Sequence, residues 1–71
     1  MHSDMPAHQL GIHLRSRRQR LGVRQSDLAE LAGVGLRTLI AIEKGEANPS
    51  LETLTKIADV LGMELTLAVK A

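Results

Sequence analysis

The sequence predicts an all-α bundle of four helices followed by one short β-strand. Two observations predict it: apolar residues recur at helical spacing between glycines over most of the chain, whereas apolar and polar residues alternate near its end. The 71 residues leave room for a single domain, whose core must be built without Phe, Tyr, Trp or Cys. Disulfides and cysteine zinc sites are therefore excluded, and we expect association with another chain to add stability.

Glycines mark the predicted helix ends, because Gly adopts the left-handed conformation at a helix C-terminus without steric cost. The glycines that follow helix-like runs are Gly22, Gly33, Gly45 and Gly62. They divide the chain into predicted helices near residues 6–21, 25–32, 36–44 and 51–61. Pro6 suits the first turn of the first helix, and Ser50 is expected to cap the last one. The last helix has the clearest apolar stripe, formed by Leu51, Leu54, Ile57, Ala58 and Leu61.

A charged residue interrupts the apolar stripe of the first predicted helix. Arg18 lies four residues after Leu14, on the face that should pack against the core. A buried guanidinium is tolerable when a carboxylate meets its planar fork. Glu43 lies next to Ile42 and four residues after Leu39, hence on a second apolar stripe. We therefore predict an ion pair between Arg18 and Glu43; the alternative is that Arg18 extends into solvent.

Residues 25–44, QSDLAELAGVGLRTLIAIEK, have the pattern of two helices that cross closely around a short turn. Ala29 permits a close crossing, Gly33 makes the turn and Val34 fills it. Residues 15–44 carry seven basic side chains against three acidic ones, whereas the rest of the chain carries two against five. A basic helix-turn-helix segment is typical of DNA-binding proteins, although the same charges also suit an ordinary solvated helix face.

This pattern resembles the Xre/Cro/CI family of bacterial and phage helix-turn-helix regulators over about residues 10–62. The matching residues are Leu10-Gly11, Leu14-Arg15, Arg18, Leu21-Gly22, Gln25, Leu28-Ala29, Ala32-Gly33-Val34, Thr38-Leu39, Ile42-Glu43, Gly45, Asn48-Pro49-Ser50, Leu54, Ile57-Ala58 and Leu61-Gly62. The resemblance implies a lambda-repressor-like bundle whose third helix enters the major groove, and it also implies the ion pair. We accordingly expect a flexible arm at residues 1–7, a DNA-binding domain at 8–62 and a dimerisation strand at 63–71.

The resemblance also implies which residues contact DNA. The base-reading residues would be Leu36, Arg37, Thr38 and Ala41. Among them Arg37 can bond guanine O6 and N7 in bidentate fashion. Contacts to DNA phosphates would come from Arg24, Gln25 and Lys44, with Gln25 at the start of the second helix as the main anchor.

Three features depart from the family pattern. Arg24 and Gly35 stand where Ser or Thr usually caps the second and third helices. Leu36 and Ile40 form an apolar pair on a face that we expect to be polar. Three interpretations of this pair are open: it is partly core, it contacts thymine methyl groups, or it touches a protein.

No arrangement of residues predicts catalysis, a metal site or a cofactor. The three histidines have no helical spacing that would bring imidazoles together, and no sequence context pairs a nucleophile with a base. The chain shows neither an apolar signal segment at its start nor a stretch of roughly 20 apolar residues. We expect a cytoplasmic protein without membrane contacts.

The predicted strand at residues 63–71 requires a partner, because a lone strand leaves its N–H and C=O groups unpaired. A second copy of the chain, pairing about a twofold axis, would bury an apolar seam. The residues of this predicted dimer interface are Val60, Met63, Leu65, Leu67 and Val69. The alternative is an unpaired tail.

These features predict a transcriptional repressor that binds double-stranded DNA at a palindromic operator as a homodimer. The stretch NPSLETLTKIADVLGMELTL, which runs from the last predicted helix into the terminal strand, resembles HipB-type antitoxins. Such antitoxins dimerise through that strand, bind their own operator and hold a HipA-like kinase toxin. The predicted role is therefore the antitoxin and autorepressor of such a toxin-antitoxin operon. A phage Cro-like repressor or a restriction-modification controller protein is the alternative.

Overall fold

A computed structural model of the chain describes residues 7–70, and this part contains four α-helices. The helices are α1 (Ala7–Arg20), α2 (Gln25–Ala32), α3 (Leu36–Lys44) and α4 (Leu51–Val60). The four predicted helices are confirmed, each with bounds within one residue of the prediction. Helix α1 packs against α3, and α2 packs against both α3 and α4. Pro6 and most of the predicted arm lie outside the described residues, and no helix of residues 7–70 is long and apolar enough to cross a membrane.

One apolar core joins the four helices. Its buried residues are Leu14, Leu28, Ala29, Ala32, Leu39, Ile42, Ile57, Ala58 and Leu61. The apolar stripe predicted for α4 is correct except at its first residue. Leu54 is half-buried and packs against the core, whereas Leu51 is 71% exposed. Both side chains also line a surface groove.

Helices α1 and α3 approach backbone to backbone at Gly11. A Cβ atom at this position would overlap the carbonyl oxygen of Ile42 and lie 3.2 Å from the carbonyl carbon of Glu43. Backbone atoms of a helix cannot move aside as a flexible side chain can, so only glycine permits this crossing. The sequence pattern predicts a close crossing at Ala29, which is indeed buried, but misses the one at Gly11.

Both ends of α4 are satisfied by groups of the same chain. The Ser50 hydroxyl oxygen accepts a hydrogen bond from the Thr53 N–H at 3.1 Å, so the predicted N-cap is confirmed. At the other end, Arg17 Nε donates to the carbonyl oxygen of Leu61 at 2.9 Å. Arg17 therefore joins α1 to the end of α4, and its charge is used inside the fold.

The predicted C-terminal strand is not formed, and this part of the fold prediction is wrong for the described chain. Residues 63–70 contain neither helix nor strand. A strand requires a neighbouring strand for its hydrogen-bond ladder, and no other part of residues 7–70 offers one. The predicted interface residues separate accordingly. Val60 and Met63 pack against the core of their own chain, whereas Leu65, Leu67 and Val69 are exposed.

Candidate nucleic-acid interface

A three-residue turn, Gly33 to Gly35, connects α2 to α3. Gly33 ends α2 in the left-handed conformation, with φ 71° and ψ 33°. The Val34 N–H donates to the carbonyl oxygen of Ala29 at 2.9 Å, and the Val34 side chain packs against the core. The turn is therefore held by both backbone and side chain, which fixes the direction of α3 relative to α2.

The first turn of α3 is exposed. Leu36, Arg37 and Thr38 lie on the surface, and Ala41 is half-buried one turn later. Within the described residues, the Arg37 guanidinium takes part in no hydrogen bond or ion pair. Its five donors are therefore available to an external acceptor, and their planar fork matches the O6 and N7 atoms of guanine.

The apolar pair on α3 divides between two environments. Leu36 is 43% exposed, whereas Ile40 is half-buried and lines a cleft between α1 and α3. Ile40 is therefore partly shielded by the walls of the cleft, although it is not among the half-buried apolar residues that pack against the core. Leu36 remains available for contact with a partner, for example a thymine methyl group.

Helices α2 and α3 both begin without a side-chain cap. Arg24 precedes α2 and Gly35 precedes α3, and neither provides a capping hydrogen bond. The first intrahelical donors are the Leu28 N–H, which bonds the Arg24 carbonyl, and the Leu39 N–H, which bonds the Gly35 carbonyl. The N–H groups before these donors have no acceptor in the helix geometry, and the helix dipole adds positive potential there. Both helix starts are thus suited to bind an anion.

A cleft of about 180 Å³ lies beside the start of α2. Its lining residues are Arg15, Gln25, Ile40, Glu43 and Lys44. Arg15 and Lys44 are exposed cations that α1 and α3 contribute, and Gln25 is half-buried between them. The structure therefore brings together two of the predicted phosphate contacts, Gln25 and Lys44, and adds Arg15, a second basic group that can pair with a phosphate.

Arg15 was missed because sequence reasoning treated the arginines of the first helix as one basic stretch. The structure separates them: Arg17 bonds the end of α4, Arg18 is buried, and Arg15 lines the cleft. A signal was present in the sequence. Arg15 precedes Arg18 by three residues, so the two side chains share a helix face, and the predicted partner of Arg18 lies on α3.

Arg24, the third predicted phosphate contact, has a different environment. Its Nε donates to Asp27 Oδ2 at 2.8 Å, and its Nη2 donates to Oδ1 at 3.3 Å. Arg24 does not line the cleft. The hydrogen bond that Arg24 donates to Asp27 and the charge of that carboxylate raise the pKa of Arg24 above its ordinary value. A DNA phosphate would have to compete with Asp27 for this side chain.

Arg18 and Glu43, the predicted ion pair, lie in contact behind the cleft. Arg18 is 8% exposed and Glu43 is 4% exposed. Arg18 Nε donates to Glu43 Oε2 at 2.7 Å, and Nη2 donates to Oε1 at 3.0 Å, which is the bidentate geometry. Arg18 Nη1 also donates to the Val23 carbonyl oxygen at 2.9 Å. The pair therefore connects α1, the turn before α2, and α3.

A model of the helix-turn-helix family HTH_3 matches residues 14–67 of the chain. The chain belongs to this family. HTH_3 proteins are DNA-binding transcriptional regulators, which agrees with the resemblance drawn from the sequence.

Two relatives illustrate the similarity. The chain is 47% identical over 51 residues to an uncharacterized HTH-type transcriptional regulator of Methanothermobacter thermautotrophicus. The aligned region covers 72% of this chain and 74% of that protein. The chain is also 46% identical over 50 residues to an uncharacterized HTH-type transcriptional regulator of Haemophilus influenzae, over 70% of this chain. The matched region spans about half (51%) of the Haemophilus protein.

Two solved structures share the fold. The restriction-modification controller protein C.AhdI of Aeromonas hydrophila matches with a TM-score of 0.78 and 33% identity, over 82% of this chain and 88% of that one. The clp gene regulator ClgR of Corynebacterium glutamicum matches with a TM-score of 0.80 and 33% identity, over 86% of this chain and 65% of that one. These similarities confirm the four-helix all-α bundle. None of these four proteins is described as an antitoxin.

Proposed function

We propose that this HTH_3 protein is a sequence-specific transcriptional repressor that places α3 in the major groove of double-stranded DNA. The observation that carries the proposal is the position of Arg37. Its guanidinium is exposed at an uncapped helix start, on the helix whose other end contributes Lys44 to the basic cleft. Base contacts from the start of α3 would supply specificity, and phosphate contacts from the cleft would set the orientation on the duplex.

Each predicted contact residue has a role in this proposal. Arg37 reads guanine, and Leu36 and Ala41 pack against thymine methyl groups. Thr38 bonds a base or a phosphate. The phosphate contacts are assigned to Arg15, Gln25 and Lys44 in the cleft, with Arg24 contributing after it exchanges Asp27 for a phosphate.

The proposal is tested by selecting an operator from a pool of random duplexes and then measuring the binding of variants. Arg37→Ala should lose discrimination at one base pair by about tenfold to a hundredfold, because a bidentate contact to guanine is lost. Gln25→Ala should weaken binding to all sequences alike, because a phosphate contact carries no sequence information. Lys56→Ala, on α4, is the control and should change neither property. Equal losses on all sequences for Arg37→Ala would contradict its base-reading role.

We also propose that the repressor acts as a homodimer on a palindromic operator with half-sites about one helical turn apart. Leu65, Leu67 and Val69 are exposed, and the first two line a groove together with Leu51 and Leu54. Soluble domains rarely leave such contiguous apolar surface uncovered. This interface uses side-chain burial and requires no paired strands.

Sedimentation at micromolar concentration tests the dimer. Replacing the two most exposed apolar tail residues, Leu67→Ser with Val69→Ser, should give a monomer whose helical circular dichroism is unchanged, because neither side chain belongs to the core. Leu31→Ser is the matched control, since Leu31 is 69% exposed and does not line the groove. A dimer that survives the double replacement would contradict the proposed interface.

The toxin-binding role predicted from the sequence is not part of this proposal. It depended on the paired C-terminal strand, which residues 63–70 do not form. A second candidate function is control of restriction-modification genes, which the similarity to C.AhdI favours. A methyltransferase gene beside this one would select that candidate, and a kinase toxin gene would restore the antitoxin interpretation.

A further inference from the structure

The Gln25 side chain is held from behind by the buried ion pair. Gln25 is the first residue of α2, and its Nε2 donates a hydrogen bond to Glu43 Oε1 at 2.9 Å. The same carboxylate accepts two hydrogen bonds from Arg18. Three side chains from three helices thus form one hydrogen-bonded chain, which runs from the core to the basic cleft.

The carboxylate decides which way the Gln25 amide is oriented. An ionised carboxylate only accepts hydrogen bonds, so the amide nitrogen must face it, because a flipped amide would bring two acceptors together. One N–H of the amide is used in this bond. Within the described residues the second N–H has no acceptor, and Gln25 lines the cleft beside the exposed cations Arg15 and Lys44.

Glu43 can perform this task because it is itself fixed. Its side chain is almost fully buried, and Arg18 holds both of its oxygens. Arg18 in turn donates to the Val23 carbonyl oxygen, two residues before the start of α2. The carboxylate is therefore tied to the segment that leads into Gln25, and the Gln25 side chain loses rotamer freedom before any ligand arrives.

We propose that Glu43, supported by Arg18, is a positioning residue for DNA binding, because it orients the Gln25 amide so that an N–H is presented to a DNA phosphate. This inference rests on the proposed function. The role adds to the structural one: the ion pair joins the helices and also prepares the phosphate contact. Loss of the carboxylate should weaken DNA binding even where the fold is retained.

A double-mutant cycle separates positioning from stability. The double variant Arg18→Met/Glu43→Leu replaces the buried ion pair by apolar side chains, a type of change that often preserves folding. Binding to a mixed-sequence duplex of about 30 base pairs is measured at low salt for four proteins: the natural chain, Gln25→Ala, the double variant and the triple variant. Thermal unfolding verifies that each is folded.

Positioning predicts that Gln25→Ala weakens binding by about tenfold in the natural background and by less than about twofold in the double-variant background. An equal loss in both backgrounds, or none in the natural one, overturns the positioning role while leaving the proposed function intact. A natural chain that binds no duplex removes both.

A second measurement needs no variant and decides the matter if the double variant does not fold. The side-chain amides of Gln9 and Gln19 are exposed and serve as internal references. Nitrogen-15 relaxation of the side-chain amides should show Gln25 Nε2 as markedly more rigid than either reference in the free protein. Equal mobility of the three amides would overturn the inference.

Discussion

Helices α3 and α4 differ in how their ends are satisfied. Helix α4 begins at the Ser50 cap and ends against Arg17, so groups of the chain itself bond both ends. Helix α3 begins at Gly35 without a cap. A helix end that the chain satisfies serves the fold, whereas one that it leaves open is suited to a ligand that supplies the missing partner.

The two sides of the molecule extend this contrast. The side formed by the starts of α2 and α3 exposes cations and free N–H donors. The side formed by α4 and residues 63–70 exposes Leu51, Leu65, Leu67 and Val69. One surface suits a polyanion and the other suits a protein. Helix α1 contributes Arg15 to the cleft on the first side and Arg18 to the ion pair behind it.

The largest effect is expected at the ion pair that supports the DNA-binding side. Glu43→Ala should lower the free energy of unfolding by about 3–5 kcal/mol, because Arg18 would stay buried without an anion. Chemical denaturation measures this loss. Asp27→Ala, which removes the carboxylate of the exposed pair with Arg24, is the control and should leave stability nearly unchanged. Similar losses for both variants would mean that burial does not distinguish the two pairs.

The next largest effect is expected where α1 meets α3. Gly11→Ala should destabilise the protein by about 3 kcal/mol, because the added Cβ overlaps the Ile42 carbonyl oxygen and the helices must separate. Thermal unfolding followed by circular dichroism measures it. Gly35→Ala is the matched control: its φ is −69° and the nearest atom, Thr38 Oγ1, would lie 3.7 Å away. The control should shift stability by less than about 1 kcal/mol, and a larger loss there than at Gly11 would refute the close crossing.

A smaller effect is expected at the capped helix start. Ser50→Ala should cost about 1 kcal/mol of stability, because the Thr53 N–H loses its acceptor. Its DNA affinity, measured below the melting temperature, should match that of the natural chain, since Ser50 does not line the cleft. A variant that lost DNA affinity but kept its stability would show that the start of α4 serves DNA binding and not the fold, which would contradict the contrast with α3.

The smallest change in stability, with opposite sign, is expected at an uncapped start. Arg24→Ser provides a capping hydroxyl for α2 and should raise the melting temperature by a few degrees. DNA affinity should fall severalfold for two reasons. The new hydroxyl accepts a hydrogen bond from a backbone N–H that would otherwise bond a phosphate, and the substitution removes a positive charge. Measuring both properties on one protein sample decides the point: a variant that gained stability without losing affinity would show that the open end of α2 does not serve DNA.

Local features of this fold were predictable from sequence. The helix bounds, the Ser50 cap and the turn at Gly33 depend on residues within a few positions of one another, where capping and glycine conformation act. The pairing of Arg18 with Glu43 was also predicted correctly. Each charge lies on the apolar stripe of its helix and is buried when the helices pack, and a buried charge needs an opposite charge beside it.

Other features depended on which helix faces meet. Gly11 reads as one glycine in a helical run, and its role follows only from the carbonyl oxygen of Ile42 across the α1 crossing. Arg15 and Arg17 are two residues apart, yet one lines the cleft beside α2 and the other bonds the end of α4. The alternation in residues 63–71 predicted a strand, but a strand is a property of two segments, and the second is missing from residues 7–70.

The sequence by itself determined the four helices, the helix-turn-helix family and the type of side chain available to DNA, because these depend on local spacing and residue chemistry. Tertiary structure decided which of several similar arginines serves the fold and which faces a ligand. It also decided that Glu43 holds the Gln25 amide, a contact across 18 positions of sequence. Such contacts depend on helix packing angles and distances, and the periodicity of a single helix carries no information about them.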